Sequence, residues 1–259
     1  MFLIQTALQQ EFRAVASVLR REAATVRSAA DQAFCKQAPA AALDPRRLAS
    51  GWIGDRFCWV LKTGVGQKAA RREVNKALTL IDRPALLVSV GFAGALSRQL
   101  RVGEKFIVHK VQVAGGEPRT LGSALDRLAS NYVKATAGGL LLTVDQPALN
   151  PASKSDLARE STAVLCDMET HAVAAVATEH GLPWLCARIV SDSAQETLQE
   201  WILQLPSLVE ECRWIAFFRQ MGTHAQDLPG LLRLAFRMRT LQRQLAQFTV
   251  EFILNVVES

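Results

Sequence analysis

The chain has 259 residues, of which 49% are hydrophobic and 21% charged, with a formal net charge of +6. This is the balance of a soluble globular protein with room for one large α/β domain or two small ones. No apolar run approaches the roughly eighteen residues a membrane-spanning helix needs, and no basic cluster with interleaved aromatics points to a nucleic-acid partner.

In chain order, Phe2–Ala7 reads as a first strand; Glu11 and Arg13 soon follow and no basic stretch precedes it, so it does not read as a signal peptide. Gln9–Arg21 reads as a helix carrying Glu11, and 23–51, alanine-rich with Pro39 and Pro45, as a helix end and a loop. Arg56–Leu61 is a strand that Thr63-Gly64-Val65-Gly66 turns into a helix over Gln67–Leu80. Such a glycine pair lets the backbone approach a ligand and presents N–H groups at a helix start, which makes Gly66 a candidate binding position. Ala85–Val90 is a fully apolar strand ending in Gly91-Phe92-Ala93-Gly94-Ala95-Leu96, and Val102-Gly103-Glu104 leads into a strand over Lys105–Val111. Residues 117–134 are short and polar, with one helix expected. Gly139–Val144 is the next strand, running out into Asp145-Gln146-Pro147-Ala148, and Lys154–Glu160 reads as a short helix.

Ala163–Cys166 then reads as a strand, Met168–His180 as a helix and Leu185–Val190 as a second strand. Asp167 suits the helix N-cap, Gly181 the position past its end, and Pro183 prevents its continuation. Strand, helix, strand with short joints predicts a parallel βαβ pair, with ligands expected outside the carboxyl ends of the strands. Glu169 and Asp192 stand at two such ends. Each also has a plain reading: Glu169 as a complement to the helix dipole, Asp192 as the cap of the next helix (Glu196–Leu203), and Glu11 as a solvated helix carboxylate. After Pro206, residues Leu231, Leu234, Met238, Leu241, Leu245, Phe248 and Phe252 form one apolar stripe at helical spacing, with Arg233, Arg237, Arg239 and Arg243 mostly off it. Such a helix packs on its own domain or a partner subunit, or lies on an anionic membrane surface. The expected organisation is a domain over 1–204 with a helical C-terminal extension over 205–259 packed on it. The five cysteines (Cys35, Cys58, Cys166, Cys186, Cys212) are scattered, odd in number and without metal-ligand spacing, which fits a reducing cytoplasm.

The segment Asp167-Met168-Glu169-Thr170, followed by Arg188-Ile189-Val190-Ser191-Asp192-Ser193-Ala194, resembles the signature pair of the purine nucleoside phosphorylase and methylthioadenosine/S-adenosylhomocysteine nucleosidase superfamily. The loop Gly91-Phe92-Ala93-Gly94 is similar to its glycine-rich loop beside the ribose, and Ala7–Phe12 resembles the nucleosidase stretch whose acid activates water. The resemblance spans roughly Phe2–Gln199. It implies a three-layer α/β fold, a mixed but mainly parallel twisted sheet flanked by helices. It also implies a homo-oligomer, a small-molecule nucleoside substrate, and no metal or organic cofactor. The basic helical tail is loosely similar to the hopanoid-associated branch, whose nucleoside is attached to a lipid.

On that resemblance Asp192, held protonated, donates to the departing purine, and Glu11 activates water on the other face of the sugar. Glu169 accepts from the ribose hydroxyls, Met168 packs on the sugar, and Gly91, Phe92, Ala93, Gly94, Gly66, Ser191 and Asp145 line the pocket. The sequence also departs from the pattern. Phe92 stands where members carry Ser or Thr, the phosphorylase-type arginine before the loop is missing, and Pro147 replaces an aromatic ring that stacks on the base. Hydrolysis is therefore the first expectation. Phosphorolysis of a nucleoside, lipid-linked or not, is the second, and binding without turnover the third.

Overall fold

The computed structural model describes residues 1–20, 46–114, 121–135, 137–198 and 228–257. The strands are β1 (Phe2–Thr6), β2 (Leu48–Ile53), β3 (Arg56–Lys62), β4 (Leu86–Ala95), β5 (Lys105–Val113), β6 (Leu121–Gly122), β7 (Ala137–Thr143), β8 (Leu165–Asp167) and β9 (Trp184–Asp192). The helices are α1 (Gln9–Ala16), α2 (Gln67–Leu80), α3 (Ser130–Ala135), α4 (Pro151–Ser161), α5 (Thr170–Glu179) and α6 (Leu228–Leu254).

One mixed sheet runs β2-β3-β1-β4-β8-β7-β5-β6, and β9 bridges β4 and β5, which closes β4, β8, β7, β5 and β9 into a ring. β1, β3, β4 and β9 run parallel, so Thr6, Lys62, Ala95 and Asp192 end on one side of the sheet. The near-continuous apolar sequences of β1, β4 and β9 follow from this, since strands covered on both faces have no solvent side to leave polar. α2 and α5 cover one face, where Val74, Ala77, Val173 and Val176 meet Leu87 and Trp184. α1 and α6 cover the other, where Phe12, Val15, Leu245, Phe248 and Phe252 meet Ile4, Val88 and Ile189. The result is the three-layer α/β architecture expected.

Several local expectations need correction. β8 and β9 are not a parallel βαβ pair: β8 lies antiparallel to the end of β4 and parallel to β7, while β9 lies parallel to β4. Two short apolar strands carry no record of which third strand separates them. The glycine string is the last half of a ten-residue strand rather than a loop. The stretch read as loop before Gly51 contains β2, an antiparallel neighbour of β3, and the first helix stops at Ala16 rather than Arg21. In place of one helix, the described part of 117–134 holds β6, a 3-10 turn over Leu125–Arg127 and the start of α3. Residues 196–198 are not helical, and 199–203 lie outside the described residues, as does most of the stretch 23–51.

α6 spends its apolar stripe on the core. Leu241, Leu245, Phe248 and Phe252 are buried, and Arg237 forms a two-pronged pair with Glu196 at 2.7 and 3.0 Å. From Leu241 onward the face a membrane surface would need is covered by the protein itself. No helix among the described residues is long and apolar enough to cross a membrane.

Candidate active site

Glu11 sits in the first turn of α1, only 3% exposed. Its Oε2 accepts from the N–H groups of Ala7 and Leu8, both at 2.9 Å, and its Oε1 accepts from Phe92 N–H at 2.8 Å. The side chain therefore turns back over the end of β1 and reaches across to β4. Gly91 permits this: a Cβ there would lie 2.7 Å from Glu11 Oε1. Burial pushes the Glu11 carboxyl above its ordinary range, opposed by the three backbone donors and by the Arg188 charge. A solvated helix carboxylate would show none of this. The Phe92 ring packs into the apolar cluster beneath α1 and α6, so its contribution to the site is its main-chain N–H.

Glu169 is the N-cap residue of α5 by position, yet it caps nothing there with its side chain. Its Oε1 accepts from Gly66 N–H at 2.7 Å, at the start of α2. Gly66 has φ 92°, a conformation in which any other residue would be strained. Burial pushes the Glu169 carboxyl up to about 8, reinforced by the nearby charges of Asp167 and Glu11. The cap is supplied by Asp167, which accepts from Thr170 N–H at 3.1 Å and also from the Thr170 hydroxyl.

Asp167 is also the counter-charge of Arg188, at 3.0 Å, with both side chains almost wholly buried. The guanidinium further donates to Thr170 Oγ1 at 2.6 Å and to Ser89 Oγ at 2.7 Å, and Ser89 in turn donates to Gln5 Oε1 at 2.7 Å. Arg188 Nε has no protein partner among the described residues. A buried charge is tolerated when paired and hydrogen-bonded in this way. The network ties β1, β4, β8 and β9 together directly beneath the carboxylates.

Asp192 ends β9 opposite Gly94, at a register shift in the β4–β9 ladder. A Cβ on Gly94 would lie 3.1 Å from Asp192 Oδ2. The two glycines of the string are thus each fitted to an acid, Gly91 to Glu11 and Gly94 to Asp192. Asp192 Oδ1 accepts from Ser191 Oγ at 2.5 Å, and Oδ2 accepts from Lys154 Nζ at 2.5 Å. Lys154 thus makes Asp192 one half of a buried ion pair. Asp192 does not cap a following helix.

The sheet places Glu11 and Asp192 along β4, and Glu169 bonds Gly66 separately, near enough to Glu11 for the two charges to interact. Glu11, Gly91 and Phe92 meet directly, Glu169 meets Gly66, and Ser191 Oγ also lies 3.1 Å from Ala93 O, beside Asp192 and Gly94. Met168 is half-buried against the small cluster formed by Leu96, Leu142 and Cys166. Asp145 is exposed at the margin, where it accepts from Gln67 Nε2 at 2.9 Å. Two buried cations that hold the acids escaped the sequence reading. Arg188 left a signal, a lone charge inside an apolar strand, which has to find a partner. Lys154 left none, being one polar residue among many in a short helix. Cys166 and Cys186 are buried free thiols, pushed by burial up to about 12 and about 11, and so are poor nucleophiles.

A family model described as the phosphorylase superfamily matches residues 6–212. The chain belongs to the phosphorylase superfamily. No curated protein is similar enough in sequence to match it. Among solved structures, this superfamily member resembles the Helicobacter pylori 5′-methylthioadenosine/S-adenosylhomocysteine nucleosidase, with 13% identity, TM-score 0.66 and 97% of each chain covered. Futalosine hydrolase of Helicobacter pylori is similar at 14% identity and TM-score 0.64, covering 98% of this chain and 95% of that one. The S-adenosylhomocysteine nucleosidase of Streptococcus pyogenes, in complex with 5-methylthiotubericidin, follows at 14% identity, TM-score 0.60 and 94% of each chain. At such identities the likeness is one of fold. It extends along nearly the whole chain, further than the span to Gln199 expected from motifs.

Proposed function

We propose that this phosphorylase-superfamily protein hydrolyses the N-ribosidic bond of a purine nucleoside of the adenine type. The observation that carries the reading is the pairing of the two acids with the two glycines on one strand. Glu11 closes on Gly91 and Asp192 on Gly94, three residues further along β4 and past the register shift in its ladder with β9. Glu169 lies close enough for its charge and that of Glu11 to act on each other.

Cleavage needs an acid for the departing base and a base for the incoming nucleophile, one on each side of the sugar. In this reading Asp192 passes a proton to the purine as the C1′–N9 bond breaks. Glu11, ionised, takes the proton of the attacking water through Oε1, which accepts one hydrogen bond, from Phe92 N–H, among the described residues. Glu169 uses the oxygen not held by Gly66 to meet the ribose hydroxyls, and Met168 packs on the sugar. The purine specificity rests on the resemblance and on the fold-level neighbours.

Water is preferred to phosphate for two reasons. Phe92 contributes no hydroxyl to the site, and the two buried cations among the described residues, Arg188 and Lys154, are already paired with Asp167 and Asp192. Base release from a panel of nucleosides, with and without added phosphate, tests the reading. Adenine release independent of phosphate supports it, release only with phosphate replaces it by phosphorolysis, and binding with no release leaves a nucleoside-binding protein.

A further inference from the structure

Lys154 lies on the first turn of α4, a helix capped by Asn150, and its side chain is buried. Its ammonium has three acceptors: Asp192 Oδ2 at 2.5 Å, Ser193 O at 2.7 Å and Glu196 O at 3.3 Å. An ammonium has three protons to donate, and here each has a taker. A lysine that served packing alone would carry its charge to water along a flexible stem. This one is aimed at the carboxylate that ends β9. Other titratable groups close by are the Cys166 thiol and Asp167 on β8, the latter engaged with Arg188, and the Glu196 carboxylate, engaged with Arg237.

We propose that Lys154 is a positioning residue that supplies Asp192 with the proton the departing base receives. The inference rests on the hydrolytic reading above. As the C1′–N9 bond breaks, its electron pair moves into the purine and the Asp192 carboxyl protonates N7. The Lys154 ammonium gives a proton to Asp192 and becomes a neutral amine. The proton that Glu11 takes from water returns to solvent, and the amine recovers one from solvent once the base has left, so protons balance over a turnover.

The test compares the pH dependence of kcat for the wild type, Lys154→Met and Lys154→Arg on the nucleoside that the wild type cleaves best. Above about pH 8 both variants are expected to lose at least about 100-fold, the scale of general acid catalysis. Methionine leaves Asp192 without a counter-charge, so it takes its proton from solvent and activity recovers toward pH 5. Arginine keeps the charge but does not release a proton. With 4-nitrophenyl β-D-ribofuranoside, whose leaving group departs as an anion, any loss is expected to be much smaller. A loss in Lys154→Met that is equal at every pH overturns the proposal, as does full activity of Lys154→Arg above pH 8. If Lys154→Met does not fold, the arginine variant decides alone. A wild type that releases no base from any nucleoside overturns the hydrolytic reading and this proposal with it, whereas a wild-type-like pH profile in the variants overturns this proposal alone.

Discussion

Asp192 and Glu11 differ in what each can lose. Asp192→Asn keeps the shape and can still accept from Ser191 or Lys154, but has no proton to deliver. Base release by that variant is expected to fall about 10²–10⁴-fold, with folding followed by circular dichroism; turnover near that of the wild type would remove the acid role. Glu11→Gln is expected to abolish hydrolysis and also to destabilise the fold. Its amide nitrogen would face one or two of the three N–H donors from Ala7, Leu8 and Phe92, a mismatch costing about 1–3 kcal/mol. Chemical denaturation measures that loss, and an unchanged midpoint would mean the three bonds are not what holds the side chain. Glu169 and Asp192 stood out in the sequence because they follow apolar strands, whereas Glu11 stood out only through the resemblance of Ala7–Phe12 to the nucleosidase stretch. Their partners did not: spacing does not reveal that Glu169 reaches Gly66, 103 positions away, or that Lys154 reaches Asp192.

Among the elements, β4 and α6 matter most. β4 presents Gly91 and Gly94 to the two acids, and its apolar run was plain in the sequence. The order of its neighbours was not, since β4 is hydrogen-bonded to β1, β8 and β9 from three separate parts of the chain. α6 was legible as an amphipathic helix, because apolar residues three and four apart fall on one side of a helix and would scatter over both faces of a strand. Which surface covers the stripe is a tertiary fact. Phe248 is fully buried and stacks edge-on against Phe252 at 6.0 Å. Phe248→Ala is expected to cost about 3–5 kcal/mol, read from thermal or denaturant unfolding. A loss under about 1 kcal/mol, well below that cavity cost, would show that α6 is dispensable to the fold.

For the molecule as a whole, the cluster of acids sets how stability depends on pH. Glu169 has a folded value of about 8 against an ordinary 4.5, so between those values the folded state holds a proton that the unfolded chain has released. Its contribution to stability is complete below 4.5, declines as pH rises and is lost above about 8. The unfolding midpoint is expected to fall across that window by about 2–4 °C for each kcal/mol lost, and Glu169→Gln is expected to flatten the decline. A wild-type midpoint independent of pH between about 5 and 9 would contradict the placement of Glu169 among buried acids.

Attack on the sugar by water rather than phosphate is tested most directly by identifying the sugar product when both are present. In phosphate buffer, with the best nucleoside of the panel, mass spectrometry is expected to find free sugar in step with adenine. Sugar 1-phosphate in its place would contradict a hydrolytic mechanism.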